Sequence, residues 1–371
     1  MSPRPVSPHP AQLVLDSLAD GVYVTDLNRR IVVWNRSAER LTGWNARQIV
    51  GSCCFDDILA HEDIDGHRLC GAETCPLHRA IISGEASTLP EMVFARTADG
   101  RRIPVEVSVA PVCDEAGRVI GGVESFRDLT PLLGDLERAR LIQDQAMANG
   151  SPADPRVEIA VLNVPQEYVS GDFCRVEALR PGRMVAMVAD VMGHGVAAAL
   201  HTMQIRSLWE EARALLETPA AFLAHLGDKM AALTLGEDFF ATCFYGVLDT
   251  ERRLLRYATA GHPSPRVFRG GKTLALERTG SALGLVQGET YEERELALSA
   301  GDVCLAFTDG AVEAVDASGR ELGEDRLCGL FARELDGSLE TALGRLREAV
   351  LSYSGRLRLS DDFTVLAFRM R

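Results

Sequence analysis

Apolar runs that meet an aspartate at one end recur through the C-terminal half of this chain. Met184-Val-Ala-Met-Val-Ala-Asp190 runs on into Val-Met-Gly-His-Gly195, and Val303-Cys-Leu-Ala-Phe-Thr-Asp309 runs into Gly310. Asp172 lies in Val169-Ser-Gly-Asp-Phe173, and Asp361 and Asp362 immediately precede Phe363-Thr-Val-Leu-Ala-Phe368. A carboxylate at the end of a buried strand is costly unless it is solvated, hydrogen-bonded or bound to a cation. Taken singly, each of these acids reads as an ordinary turn residue, Asp-Gly above all. Taken together at several sheet edges, they fit the turn reading less well, and acids that converged would make one site. An all-oxygen set of this kind suits Mg²⁺ or Mn²⁺. Spacing alone does not show that the acids meet in space.

The hydrophobic period divides the chain into parts. Its length of 371 residues already favours two domains over one core. Residues 11–130 alternate a helix at 13–18, strand-like runs at 21–25 and 31–34, and three more at 91–96, 103–111 and 119–128. The Asp99-Gly100 and Glu115-Ala-Gly117 turns make this a hairpin-rich antiparallel sheet, with helices between its second and third strands. In the linker, 131–155, Leu132, Leu136, Ala139, Gln143 and Ala146 continue from Leu129 a stripe at alternating spacings of three and four. That stripe fits either a surface helix or a dimeric coiled coil, and Asn149-Gly-Ser-Pro-Ala-Asp-Pro155 then breaks it. Residues 156–371 predict strands at 157–163, 184–189, 242–249, 254–260, 303–308 and 363–369. Helices are predicted at 196–216, 220–233 and 338–352, a sheet-dominated α+β pattern.

Five motifs occur in order in this third part: Val169-Ser-Gly-Asp172, Val188-Ala-Asp-Val-Met-Gly-His-Gly195, Ala260-Gly-His-Pro263, Phe307-Thr-Asp-Gly310 and Ser360-Asp-Asp-Phe-Thr364. The set resembles the SpoIIE-type branch of the metal-dependent protein phosphatases, relatives of protein phosphatase 2C. The resemblance implies a β-sandwich flanked by helices, with two Mn²⁺ or Mg²⁺ at one end. It implies Asp190 as the carboxylate shared by both metals, the Val191 carbonyl as a backbone ligand, Asp309 and Asp361 as the remaining ligands, and Asp172 as an acid near the metals through water. Such sites activate water for in-line attack on phosphorus without a phosphoenzyme. His194 and His262 are candidate proton donors to the leaving oxygen, with a structural role in the loops as the alternative for each. Cys174 and Arg175 stand where many members carry Tyr and Asp, and Met192 where Ser is commoner. The implied substrate is a phosphoserine or phosphothreonine protein such as an anti-sigma-factor antagonist. The alternatives are a silent pseudophosphatase that binds a partner, or a metal or redox sensor.

The first part resembles a PAS domain through Asp20-Gly-Val-Tyr-Val-Thr-Asp26, Ile31-Val-Val-Trp-Asn35, Ala38-Glu-Arg-Leu-Thr-Gly43 and the closing Gly121-Gly-Val-Glu-Ser-Phe-Arg-Asp-Leu-Thr130. The resemblance leaves the ligand open. Cys54, Cys70 and Cys75, beside Cys53, His61, His67 and His78, are candidate ligands for zinc or an iron–sulfur cluster. The alternative is that they serve as small buried hydrophobes.

A formal net charge of -14 argues against a duplex nucleic-acid binder. No apolar run approaches the ~20 residues that span a bilayer. The proline-rich residues 1–10 read as a flexible tail and not as a signal peptide. Nine cysteines, an odd number, do not form a secreted disulfide framework, so the expected location is the cytoplasm. A homodimer through the PAS domain and linker helix is a further expectation.

Overall fold

The structure, a computed structural model, describes residues 10–63, 66–71, 74–87, 91–148, 154–233, 239–356 and 358–371. The predicted tail up to residue 9 and the breaker segment 149–153 lie outside the described residues. The chain divides into two compact units between Asp135 and Leu136.

In the first unit, α1 (Pro10–Ser17) leads into β1 (Gly21–Asp26) and β2 (Ile31–Trp34). Asp26 closes their turn, its Oδ1 accepting from the Asn28 and Arg30 amides at 2.9 and 2.8 Å. Asn35 then starts α2 (Arg36–Thr42) by accepting from the Ala38 amide at 2.8 Å. The same oxygen accepts from the Val22 amide at 2.9 Å, so one side chain both caps the helix and pins it to β1. After α3 (Ala46–Ile49) and α4 (Pro76–Ser83), the strands β3 (Glu91–Arg96), β4 (Arg102–Cys113) and β5 (Val119–Asp128) complete an antiparallel sheet of order β2-β1-β5-β4-β3. Val105, Val107 and Val109 alternate inward along β4 and pack with Leu77, Ile81, Trp34 and Phe126. The α5 helix (Thr130–Met147) follows and runs into the second unit.

The second unit is a sandwich of two antiparallel sheets. Its elements are β6 (Val157–Val164), β7 (Asp172–Arg180), β8 (Arg183–Val191), α6 (Gly195–Glu211), α7 (Pro219–Leu233), β9 (Ala241–Asp249) and β10 (Leu254–Ala260). There follow β11 (Arg266–Arg269), β12 (Lys272–Ala275), β13 (Arg294–Ala297), β14 (Val303–Phe307), α8 (Glu324–Ala332), α9 (Leu339–Ser354) and β15 (Phe363–Met370). The strand orders are β13-β10-β9-β8-β7 and β12-β11-β14-β15-β6.

Both faces of the central strands are buried, which explains their unbroken apolar runs. Along β14, Cys304 and Ala306 face the space between the sheets, while Val303, Leu305 and Phe307 face Leu343 and Leu346 of α9. Along β8, Met184 and Val188 face inward, while Val185, Met187 and Ala189 pack under α6 and α7. The result is four layers, helices outside and sheets inside. The α+β class and both architectures expected from the sequence are therefore observed.

Several elements were not expected. The β7 strand begins with Asp172, so this acid opens a strand and does not close one. The short strands β11, β12 and β13 carry charged or exposed residues that hide the apolar signal. The predicted helix 196–216 stops at Glu211 and tightens into a 3₁₀ turn, Arg213–Leu215.

Trp209 anchors the helical layer over β8. It is fully buried, with ring centroids 5.4 Å from Phe222, 5.9 Å from Tyr245 and 6.4 Å from Phe173. Trp209→Ala should destabilise this unit by about 3–5 kcal/mol in urea unfolding followed by circular dichroism. A loss below about 1 kcal/mol would show that the layer does not depend on this ring.

Candidate metal and active site

The acids singled out in the sequence collect at one end of the sandwich. Asp172 opens β7 directly opposite Asp190 near the end of β8, and Asp190 in turn lies opposite Thr242 on β9. From the other sheet, Thr308 follows β14 and sits beside β15, its amide donating to the Thr364 carbonyl at 3.0 Å. Its hydroxyl donates to Asp172 Oδ2 at 2.9 Å, which bridges the two sheets at the site. Asp309 and Asp361 complete the group, and Asp309 is within hydrogen-bonding reach of Asp190.

Asp362 has a different role from its neighbour. It accepts from the Gln166 amide at 2.7 Å, the Ser170 hydroxyl at 2.9 Å and the Gly171 amide at 2.6 Å. It therefore ties the turn before β7 to the segment before β15. Gly310 allows these segments to approach: a Cβ there would stand 2.0 Å from the Asp362 carbonyl oxygen. The Val191 amide donates to the Gly171 carbonyl at 3.1 Å, and the Met192 amide donates to the Phe240 carbonyl at 3.0 Å. The Asp190 loop is thus held from two sides.

Burial, reinforced by the crowding of like groups, dominates the electrostatics of the site. Burial pushes the Asp190 carboxyl up to about 9, reinforced by Asp172, Asp309 and Asp361. Asp172 is raised well above the usual carboxylate range by burial, with Asp362 and Asp309 adding to it. Asp361 is raised by burial as well, with Asp309 and Asp362 contributing. Among the described residues, no three His, Cys, Asp or Glu side chains close around one point as a ready-made metal cage. The cluster is an open set of repelling hard oxygen donors. That donor chemistry fits Mg²⁺ or Mn²⁺, whose charge would relieve the repulsion.

The two histidines differ. His194 precedes α6 with a side chain 67% exposed, 3.3 Å from Glu167 Oε1 and close enough to Asp361 to favour its ionised form. His262 is fully buried, its Nδ1 2.9 Å from Thr242 Oγ1, and burial pushes its pKa down to about 3. It is a neutral imidazole with no access to solvent. Arg175, where the resemblance leads one to expect an acid, pairs with Glu177 at 2.9 Å and lies over the Trp209 ring.

In the first unit, Cys54 and Cys75 are buried and Cys70 is half-buried, its Sγ accepting from the His61 amide at 3.1 Å. All nine cysteines are free. Burial raises the thiol pKa of Cys54, and that of Cys70 to about 11, so any metal would have to displace their protons. Sequence reasoning did not single out Glu124, which is 1% exposed beside this group. Tyr23 donates to its Oε2 at 3.0 Å. Its Oε1 lies 3.5 Å from His61 Nε2, and neither atom has a hydrogen-bond partner. The pair is not an ion pair at neutral pH, because burial pushes Glu124 up to about 8 and His61 down to about 4.

Comparison with known proteins agrees with both units. The chain belongs to the family described as stage II sporulation protein E (SpoIIE), which matches residues 180–371. Residues 15–132 match the PAS fold. The phosphoserine phosphatase RsbU of Bacillus subtilis is 24% identical over 316 residues, covering 82% of this chain and 88% of that protein. The SiaA-PP2C domain of Pseudomonas aeruginosa superposes with a TM-score of 0.58 at 25% identity, over 65% of this chain and 98% of that one. A Mycobacterium tuberculosis structure containing RsbU and RsbW domains gives a TM-score of 0.51 at 27% identity, over 58% of this chain and 60% of that one. The chain is thus a serine/threonine protein phosphatase by family and fold.

Two outcomes follow. Gly310→Ala should displace the Asp361–Asp362 segment and weaken Mn²⁺-induced thermal stabilisation of the chain; an unchanged Mn²⁺ shift would contradict the close approach. The second concerns pH. Folded Glu124 keeps, up to about pH 8, a proton that its unfolded counterpart releases above 4.5, so it destabilises the fold as pH rises through that window. His61 acts oppositely between 6.5 and about 4, where the unfolded chain takes up the proton. The two slopes offset each other at the acid end, leaving a net fall in stability from about pH 6.5 to 8. Glu124→Gln should abolish that fall in urea titrations followed through Trp34 and Trp44 fluorescence in a Trp209→Phe background. An unchanged slope would refute the assignment.

Proposed function

We propose that the chain hydrolyses phosphoserine or phosphothreonine on a protein substrate with divalent cations held by the acidic cluster, and that the PAS domain sets this activity. The observation that carries the reading is Asp190, a half-buried carboxylate whose neighbours Asp172, Asp309 and Asp361 are carboxylates too. Asp190, Asp309, Asp361 and the Val191 carbonyl would hold Mn²⁺ or Mg²⁺. Asp172, tied to Thr308, is suited to hold water beside them. Bound cations would supply charge to the phosphoryl oxygens and acidify the attacking water.

His194, exposed and beside Asp361, is the proton donor to the leaving serine or threonine oxygen in this reading. His262 is buried and neutral, and its contact with Thr242 steadies the strand position opposite Asp190. The working division is a PAS domain at 11–130, a linker at 131–155 and a phosphatase domain at 156–371. The printed name of the Bacillus subtilis relative, a phosphoserine phosphatase, favours phosphoserine. An anti-sigma-factor antagonist as the substrate protein, the cytoplasm as the location and a dimer through the PAS domain and linker are carried by the family resemblance of the motifs. Zinc or an iron–sulfur cluster at Cys54, Cys70 and Cys75 remains the candidate PAS ligand, and metal analysis of the purified chain decides it.

The test is release of phosphate from a phosphoserine peptide by the full chain with Mn²⁺. Activity should vanish on chelation and in Asp190→Asn. Turnover that survives in Asp190→Asn would remove Asp190 from the site.

A further inference from the structure

The turn that carries Ser170 and Asp172 is held from behind by a residue of α5. Gln143 is 6% exposed, although its neighbours Leu141 and Ile142 are each 62% exposed. Its Nε2 donates to the Ser170 carbonyl at 2.8 Å and to Thr202 Oγ1 at 2.9 Å. Its Oε1 accepts from the Ser170 amide at 3.0 Å. One amide therefore satisfies both main-chain groups of Ser170, as an adjacent strand would, and ties them to α6. A second bond joins the same helices, Arg206 Nε donating to the Ala146 carbonyl at 3.0 Å.

Ser170 leads directly to the acids. Its hydroxyl donates to Asp362 Oδ2 at 2.9 Å and accepts from the Asp172 amide at 3.0 Å. Thr202 lies on the helix that continues from the Asp190 loop. A cavity of about 210 Å³ opens alongside, lined by Arg140, Asp144 and Met147 of α5 and by Asn163, Asp172 and Cys174 of the sheets. The turn is therefore not packed flush against α5 on that side, and hydrogen bonds fix it.

We propose that Gln143 is a positioning residue of the acidic site, holding the Ser170 turn, and with it Asp172 and Asp362, against α6. The proposal rests on the reading of that cluster as a cation site. An outer partner that orients ligating carboxylates typically changes metal affinity when removed, with less effect on the chemical step once the site is filled. Gln143→Met keeps the length of the side chain and removes all three bonds. Thr202→Val removes one of them, and Leu141→Ala is the control on the exposed side of the same helix.

The experiment uses the full chain and reads three quantities: amide exchange over residues 166–172, Mn²⁺ affinity by electron paramagnetic resonance, and phosphopeptide turnover against Mn²⁺ concentration. In Gln143→Met, exchange should quicken and the Mn²⁺ dissociation constant should rise about tenfold, with kcat at saturating Mn²⁺ nearly retained. Leu141→Ala should match the wild type. Wild-type Mn²⁺ affinity in Gln143→Met overturns the proposal, as does lost turnover that saturating Mn²⁺ does not restore. If the wild type binds no Mn²⁺, the cation reading fails and exchange alone decides: faster over 166–172 supports the positioning role, and unchanged refutes it. If Gln143→Met does not fold, Thr202→Val is read by the same criteria, with a smaller shift in the same direction.

Discussion

The gathering of carboxyl groups at one end of an apolar sandwich is the constraint around which the second unit is arranged. Asp172, Asp190, Asp309, Asp361 and Asp362 sit at one end of a sandwich whose strands are otherwise apolar. Ionised together, such a group would push the sheet ends apart. The strands stay together because their central portions are buried on both faces, so the apolar layers offset the electrostatic cost. Polar bonds then set the local geometry: Thr308 joins Asp172 to the second sheet, and Asp362 joins the turn before β7 to the segment before β15. Burial raises the pKa of Asp172, Asp190 and Asp361, and in the proposed reading a divalent cation would take the place of the protons they hold.

Much of this was legible in the sequence, for a definite reason. Strands buried on both faces give continuous apolar runs, and β8, β9, β10, β14 and β15 were found from those runs within a few residues of their observed ends. Asp190 and Asp309 stood out because each follows such a run. β7 escaped because Arg175, Glu177 and Arg180 interrupt its apolar pattern, although Phe173, Cys174 and Val176 are buried. Arg175 and Glu177 neutralise each other beside Trp209, a contact between distant segments that no local pattern encodes. Gln143 was read only as a weak position in a helical stripe. Its partners lie 27 and 59 residues away, so its role appears only after folding.

The first unit poses a parallel problem on a smaller scale. Glu124, His61 and Tyr23 bring polar atoms into an apolar core beside three thiols. Burial resolves the conflict by keeping the groups neutral: Glu124 retains its proton and His61 lacks one at pH 7. The cysteines were visible from their spacing, whereas Glu124 looked like an ordinary acid on a strand. Its inward direction follows from the alternation along β5, where Gly122, Glu124 and Phe126 share the buried side. Both units raise the pKa of a buried acid, and the second also gathers several acids at one end of its sandwich.

The central claim is that the carboxylate cluster is a cation site. The most direct measurement is anomalous scattering at the manganese absorption edge from crystals of the full chain grown with Mn²⁺. The account predicts manganese peaks at the end of the sandwich, held by Asp190, Asp309 and Asp361. Crystals soaked at saturating Mn²⁺ that show no peak at these carboxylates would contradict it.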